Sequence, residues 1–208
     1  EIIRTGVNID EINSLKPELK LPPIFNGKKI VFLPRYIQPI YRTELQLKAL
    51  MEISGDLRPQ LALVLIKGKR TTESYLGKIE DLLKKLGIPF HIFDSLTQHE
   101  MWSMFKLSSL SIMTPKTDGT PNSALEAMAA KCPLILGSFN YDEDLFSEIF
   151  CQRMKTDSIS ELAQLIQVSI ENYPKEKLNS AFENVSKFGN RQIEMGRIEQ
   201  LYLSLTKR

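Results

Sequence analysis

Cysteine is nearly absent from this chain. Cys132 and Cys151 are the only two, too few for a disulfide framework, so the fold has to be held by its own core. Histidine is as scarce, and His91 and His99 do not stand at zinc-ligand spacing with the cysteines. No apolar run approaches the roughly 18–20 residues that span a bilayer, and the first residues lack the basic-then-apolar order of a signal peptide. An excess of one charge is also missing. Lys+Arg 27 against Asp+Glu 25 leaves +2, which excludes a dense footprint for a nucleic-acid backbone and leaves phosphate binding to a local site. With 42% hydrophobic and 25% charged residues, 10 Gly and 11 Pro, disordered, collagen-like and repeat classes are excluded as well. The default expectation is a reducing, cytoplasmic setting with no nucleic-acid partner. The chain opens on Glu1 rather than Met, as an excised domain or processed chain would.

What is present is alternation. At 208 residues the chain is worth roughly one to two domains, and one α/β domain fills it. Short apolar runs at Lys29–Leu33, Leu61–Ile66, Pro89–Phe93, Leu110–Met113 and Pro133–Leu136 are rich in Val, Ile, Leu or Phe and predict buried strands. Between them Thr43–Ile53, Glu73–Leu86, Gln98–Leu107 and Asn122–Ala130 carry apolar residues at three- and four-residue steps and predict helices. This is the pattern of βαβ units in a doubly wound, Rossmann-like parallel sheet. Residues 1–27 form a lead-in, 28–157 the βα core, and 158–208 a helical tail. The sheet is expected to end near Asn140, with one doubtful strand at Cys151–Met154. Helices are expected at Ser158–Ser169, Glu176–Phe188 and Arg191–Leu205, the last packing on the domain through Ile193, Ile198, Leu201, Tyr202 and Leu205.

A doubly wound sheet places its ligand crevice at the carboxyl ends of its strands. There the most informative stretch is Thr114–Ile135, a strand end running through a Gly-containing loop into a helix of small residues. Thr120 is expected as N-cap and Pro121 as first helical residue, leaving the amides of Asn122, Ser123 and Ala124 free to hold an anion with the helix dipole. Gly119 would let a ligand approach the backbone. Asp118 and Glu126 flank this helix start, and Glu126 falls off the apolar stripe of Ala124, Leu125, Met128 and Ala129, where hydroxyl donors such as those of a sugar or ribose would satisfy it. Taken singly, each feature is ordinary. Their joint spacing is what points to a site.

These residues resemble the donor-binding half of family 4, or group 1, glycosyltransferases of the GT-B fold. That pattern runs Glu-Gly, a short loop, Leu-Glu-Ala-Met-Ala, a small residue and Pro-Val-Ile. Here Asp118-Gly119 leads to Leu125-Glu126-Ala127-Met128-Ala129 and Cys132-Pro133-Leu134-Ile135, with the family's interval between carboxylates. Weaker likenesses lie at Thr5–Asp10, Val31–Arg35, and Phe93 with Gln98–Phe105. The resemblance implies that Asp118 holds hydroxyls of the donor sugar, Glu126 the nucleotide ribose, and Arg35 the diphosphate. Asp118 stands for the usual Glu, Pro34 for a glycine, and Ile40 about where a phosphate-binding Lys belongs, with Arg42 two residues on as its substitute.

The implied activity is retaining, metal-independent transfer of a sugar from a nucleoside-diphosphate sugar to an acceptor in glycan or surface polysaccharide synthesis. No cofactor is implied, because the nucleotide sugar is a substrate. The acceptor would be bound by an N-terminal domain outside this chain, to which the C-terminal helix can cross and without which it would be left exposed; the isolated chain would be inactive, and the full protein could associate peripherally with the inner face of a membrane. Two alternatives stay open, a non-catalytic Rossmann-like binding domain and a GT-B sugar-nucleotide epimerase. Lys67–Arg70 is expected as a solvated turn, and Met101, Trp102, Met104 and Phe105 as packing. His91 is expected half-buried and His99 without a partner.

Overall fold

A computed structural model describes residues 3–206. Six strands, β1 (Lys29–Tyr36), β2 (Leu61–Ile66), β3 (Phe90–Phe93), β4 (Leu110–Met113), β5 (Leu134–Leu136) and β6 (Gln152–Arg153), form one sheet of order β3-β2-β1-β4-β5-β6. Every pairing is parallel. Helices α1 (Ile9–Ser14), α2 (Thr43–Glu52), α3 (Glu73–Leu86), α4 (Gln98–Leu107), α5 (Asn122–Ala129), α6 (Glu143–Phe146), α7 (Ile159–Asn172), α8 (Lys175–Phe188) and α9 (Arg191–Thr206) complete the chain. The expected doubly wound α/β class is therefore what the chain forms.

Strand residues alternate between two cores because successive side chains point to opposite faces. Val31, Leu33, Leu61, Leu63, Leu65, Ile112 and Ile135 pack under α2, α3 and α7. Phe32, Val64, Ile66, Met113, Leu134 and Leu136 pack under α4, α5 and α8. With both faces covered, β2 is buried at all six positions, which is why it is an unbroken apolar run. Phe32 meets Phe105 edge-on with ring centroids 5.2 Å apart, a geometry worth about 0.5–1.5 kcal/mol beyond simple burial. Helix ends follow local chemistry. A capping box at Thr97 and Glu100 starts α4, and Gly87 in the left-handed region ends α3.

Three expectations need correction. The sheet does not end near Asn140, because Gln152–Arg153, inside the doubtful strand expected at Cys151–Met154, pairs parallel with β5. β1 runs past Leu33 through Pro34 to Tyr36, and a register shift there absorbs a proline that has no N–H to give the ladder. α9 does not pack along its length: Glu194 is its one buried residue, while Ile193, Leu201, Tyr202 and Leu205 are 42–66% exposed. The lead-in does pack, with Ile9 and Ile12 in the core and Val7 bridging to Asn190. Gly6 has φ +62, and a Cβ there would stand 2.6 Å from the Arg191 nitrogen, so no larger residue fits that clasp. Arg4 seals it from the side, ion-paired to Asp142 at 2.7 Å while its amide donates to the buried Glu194 carboxylate at 2.7 Å.

Candidate functional site at the carboxyl ends of the strands

Strand order reverses between β1 and β4, and a cleft of about 340 Å³ opens at their carboxyl ends. Arg35 and Tyr36 from the end of β1, Tyr41, Leu96, Gln98 and Met101, and Ser123 and Glu126 from α5 line it. Arg35 is fixed on three sides. Its Nη1 donates to Ser123 Oγ at 3.2 Å, its Nη2 lies 3.2 Å from Asp118 Oδ2, and the guanidinium stacks 4.5 Å above the Tyr41 ring. Asp118 also accepts from the Gly119 amide at 2.9 Å. A cation, a carboxylate and a helix start thus converge on one edge of the cleft.

Glu126 sits one turn into α5 and is only 8% exposed, so it belongs to the wall of the cleft and not to the solvated surface. Burial pushes its carboxyl above the ordinary carboxylate value. The Trp102 indole N–H and Gln98 act against that shift, favouring the charged form. Gln98 Nε2 donates to Glu126 Oε1 at 2.6 Å, whereas the Trp102 N–H is turned toward the carboxylate without the geometry of a full hydrogen bond. A buried carboxylate with one donated bond still has lone pairs to offer to hydroxyls.

The helix start differs from expectation by one residue. Pro121, with ψ 105, is the N-cap, and it brings no side-chain cap; Thr120 therefore lies outside the helix. The Ala124 amide already donates to the Pro121 carbonyl at 2.9 Å, so of the three amides expected to be free only those of Asn122 and Ser123 remain so among the described residues. Gly119 is exposed, and nothing lies within 4 Å of where a Cβ would stand. The Asn122 side chain is turned aside, its Oδ1 accepting from Thr5 Oγ1 at 3.0 Å. Gly119, Thr120 and Asn122 border the loop without lining the cleft itself.

Arg42 is not part of the cleft lining. It stands in the left-handed region, φ 56, and both guanidinium arms pair with Asp157, which Ser138 also contacts. These bonds hold the Asp157 carboxyl below its usual range. In this structure Arg42 is thus engaged by a carboxylate beyond β6. His99 also departs from expectation, with its ring 3.1 Å from Glu11. The Met101 cluster divides: Trp102, Met104 and Phe105 are core, but Met101 also lines the cleft. Tyr41, Gln98 and Met101 were missed as cleft residues because they come from segments separated from Asp118 in sequence. The signal available for them was position, since Leu96 and Gln98 follow directly on the end of β3.

Arg35 and the two amides can take an anion while Glu126 and Asp118 accept from hydroxyls, all from one side of the sheet. Among the described residues no group of three or more His, Cys, Asp and Glu could hold a metal ion, and no helix is long and apolar enough to cross a membrane.

The sequence matches the family described as glycosyl transferases group 1 over residues 18–185, and a comparison with curated proteins finds no match. Among solved structures the fold is similar to a glycosyltransferase from Rickettsia africae, with TM-score 0.80, 14% identity, and coverage of 99% of this chain and 57% of that one. It is similar to Anabaena HepE in complex with UDP, with TM-score 0.79, 16% identity, and coverage of 98% and 57%. It is also similar to trehalose 6-phosphate synthase from Burkholderia multivorans, with TM-score 0.80, 14% identity, and coverage of 97% and 50%. The chain spans about half the length of these structures. The match over most of its length, on a parallel sheet that fits the C-terminal half of a GT-B enzyme, places this chain in the group 1 glycosyltransferases.

Proposed function

We propose that this chain is the donor-binding half of a retaining glycosyltransferase and that the cleft between β1 and α5 holds a nucleoside-diphosphate sugar. One observation carries this: Arg35, Ser123 and Glu126 line a single cleft at the switch point of the sheet, and Asp118 is ion-paired to Arg35 at its rim. Arg35 and the amides of Asn122 and Ser123 would hold the diphosphate, Glu126 the ribose hydroxyls, and Asp118 the hydroxyls of the sugar, with Gly119 and Thr120 bordering it. As the bond to the anomeric carbon breaks, negative charge grows on the leaving phosphate, and a fixed guanidinium and helix amides stabilise it without a metal. Retention, and a role in glycan or surface polysaccharide synthesis, follow from the family resemblance.

Because Arg42 is engaged by Asp157, the diphosphate rests on Arg35 and the helix start alone. A closed, water-excluding cleft and the groups that position the reacting hydroxyl of an acceptor would come from a second, N-terminal domain. Attachment to the cytoplasmic face of a membrane would belong to that larger protein. Anabaena HepE has been solved with UDP and with UDP-glucose, which makes uridine nucleotides the first to try. The test is calorimetric titration of the chain against a panel of nucleoside diphosphates and their sugars. Saturable binding of one base, with the sugar form at least as tight, supports the proposal. No binding of any member overturns it.

A further inference from the structure

We propose that Lys69 and Arg70 form a second anion subsite beside the donor cleft, one that takes the phosphate group of a phosphate-bearing acceptor. It rests on the donor reading of the neighbouring cleft. A separate hollow of about 330 Å³ adjoins that cleft, lined by Lys69 and Arg70 together with Gln38 and Ser95. Tyr36 and Tyr41 line both spaces, so ligands in the two would be separated only by their rings.

The turn that carries the two cations is anchored through its backbone. The Lys67 amide donates to the Phe93 carbonyl at 2.7 Å and the Gly68 amide to the Asp94 carbonyl at 3.0 Å, tying the turn to the end of β3. Gly68 has φ +78, and its missing Cβ would stand 2.4 Å from Tyr36 Cγ, so the tyrosine ring lies directly on the glycine backbone. The backbone that carries the cations is thereby tied to the wall of the donor cleft.

Their charge is uncommitted. Arg4, Arg35, Arg42 and Arg153 each pair with a carboxylate. Lys69 and Arg70 are exposed and form no ion pair among the described residues, in a chain whose net charge is only +2. Arg35 and the α5 amides already account for the anion of the donor, so a second pair of cations across the tyrosine wall calls for a different anion. Besides the donor, transfer brings one further molecule to the enzyme, the acceptor. Two cations with amide and hydroxyl donors beside them suit a phosphomonoester or a phosphate headgroup.

The test is an NMR titration of the chain with glycerol 3-phosphate, with and without saturating UDP, comparing wild type with Lys69→Glu/Arg70→Glu and with the milder Lys69→Gln/Arg70→Gln. A parallel arm measures sedimentation with phosphatidylglycerol and phosphatidylcholine vesicles. The expected result is phosphate binding that persists with UDP bound and weakens about tenfold or more on charge reversal, less with Gln, while UDP affinity changes less than twofold. Binding of glycerol 3-phosphate marks a soluble acceptor, and binding of phosphatidylglycerol vesicles alone a lipid-borne one; either supports the subsite when the variants abolish it. No binding in either arm overturns it. So does a variant that weakens UDP tenfold with no separate phosphate site, which would assign the turn to the donor. If UDP fails to bind while phosphate binding depends on Lys69 and Arg70, the donor reading falls and the acceptor role with it, leaving an anion site at this turn.

Discussion

Replacing Glu126 by Gln keeps the shape of the cleft wall and removes one charge. In the folded chain the carboxylate is 8% exposed and accepts one bond, from Gln98 at 2.6 Å. Ribose hydroxyls donating to it would form charge-assisted bonds worth about 1.5–3 kcal/mol, so the substitution should weaken nucleotide binding roughly 10- to 150-fold. Stability should respond in the opposite sense. Burial raises the folded-state pKa of Glu126 above its unfolded value, so the stability tied to its protonated form is complete below the ordinary value of 4.5 and is lost as pH rises through the higher folded value. Glu126→Gln removes that loss, and its melting temperature at neutral pH should equal or exceed that of wild type. Wild-type nucleotide affinity should also climb over the same rise in pH, because hydroxyl donors bind the ionised form, and the variant should lack this slope. Calorimetry with the matching nucleotide across an acidic-to-neutral series, alongside thermal unfolding, measures all three. Equal affinities for wild type and variant would refute the assignment, and a large drop in melting temperature would make Glu126 structural instead.

Arg42→Ala should leave nucleotide affinity within about twofold, since its partner is Asp157, and should cost at most about 1 kcal/mol of stability, as the pair is partly exposed; titration and urea unfolding check the two. Gly68→Ala should destabilise by about 1–3 kcal/mol, because it forces a left-handed residue and drives a Cβ into the Tyr36 ring, an outcome read from the urea midpoint. Nucleotide binding should be the same in chelator and in magnesium, and the isolated chain should transfer no sugar to an acceptor by product analysis. Loss of binding in chelator would put a metal where Arg35 stands.

Much of this fold is legible in the sequence because burial on both faces leaves nothing polar inside a strand. Leu61–Ile66 and Leu110–Met113 could be bounded to the residue for that reason. Where pairing and not side chains makes the strand, the signal fails. Pro34 and Arg35 stay in β1 by virtue of their neighbours, and pairing with β5 is what turns the doubtful run Cys151–Met154 into a strand, at Gln152–Arg153. The helix start shows the same limit on a finer scale, since Thr-Pro admits a cap at either residue and the observed ψ of Pro121 puts it there. Within the site, spacing placed Asp118 and Glu126, and a single strand end placed Arg35. Spacing could not place Gln98 against Glu126 or Tyr41 beneath Arg35, which meet across the sheet edge. Nor could it show that Arg42 is held by Asp157, an acid 115 residues away.

Where a nucleotide sits is read most directly from a crystal structure of this chain with the best-binding nucleoside diphosphate. A diphosphate is expected within hydrogen-bond distance of Arg35 and the Ser123 amide, with ribose hydroxyls on Glu126 in the cleft between β1 and α5. A nucleotide bound elsewhere, or one in this cleft that touches neither Arg35 nor Glu126, would contradict this placement.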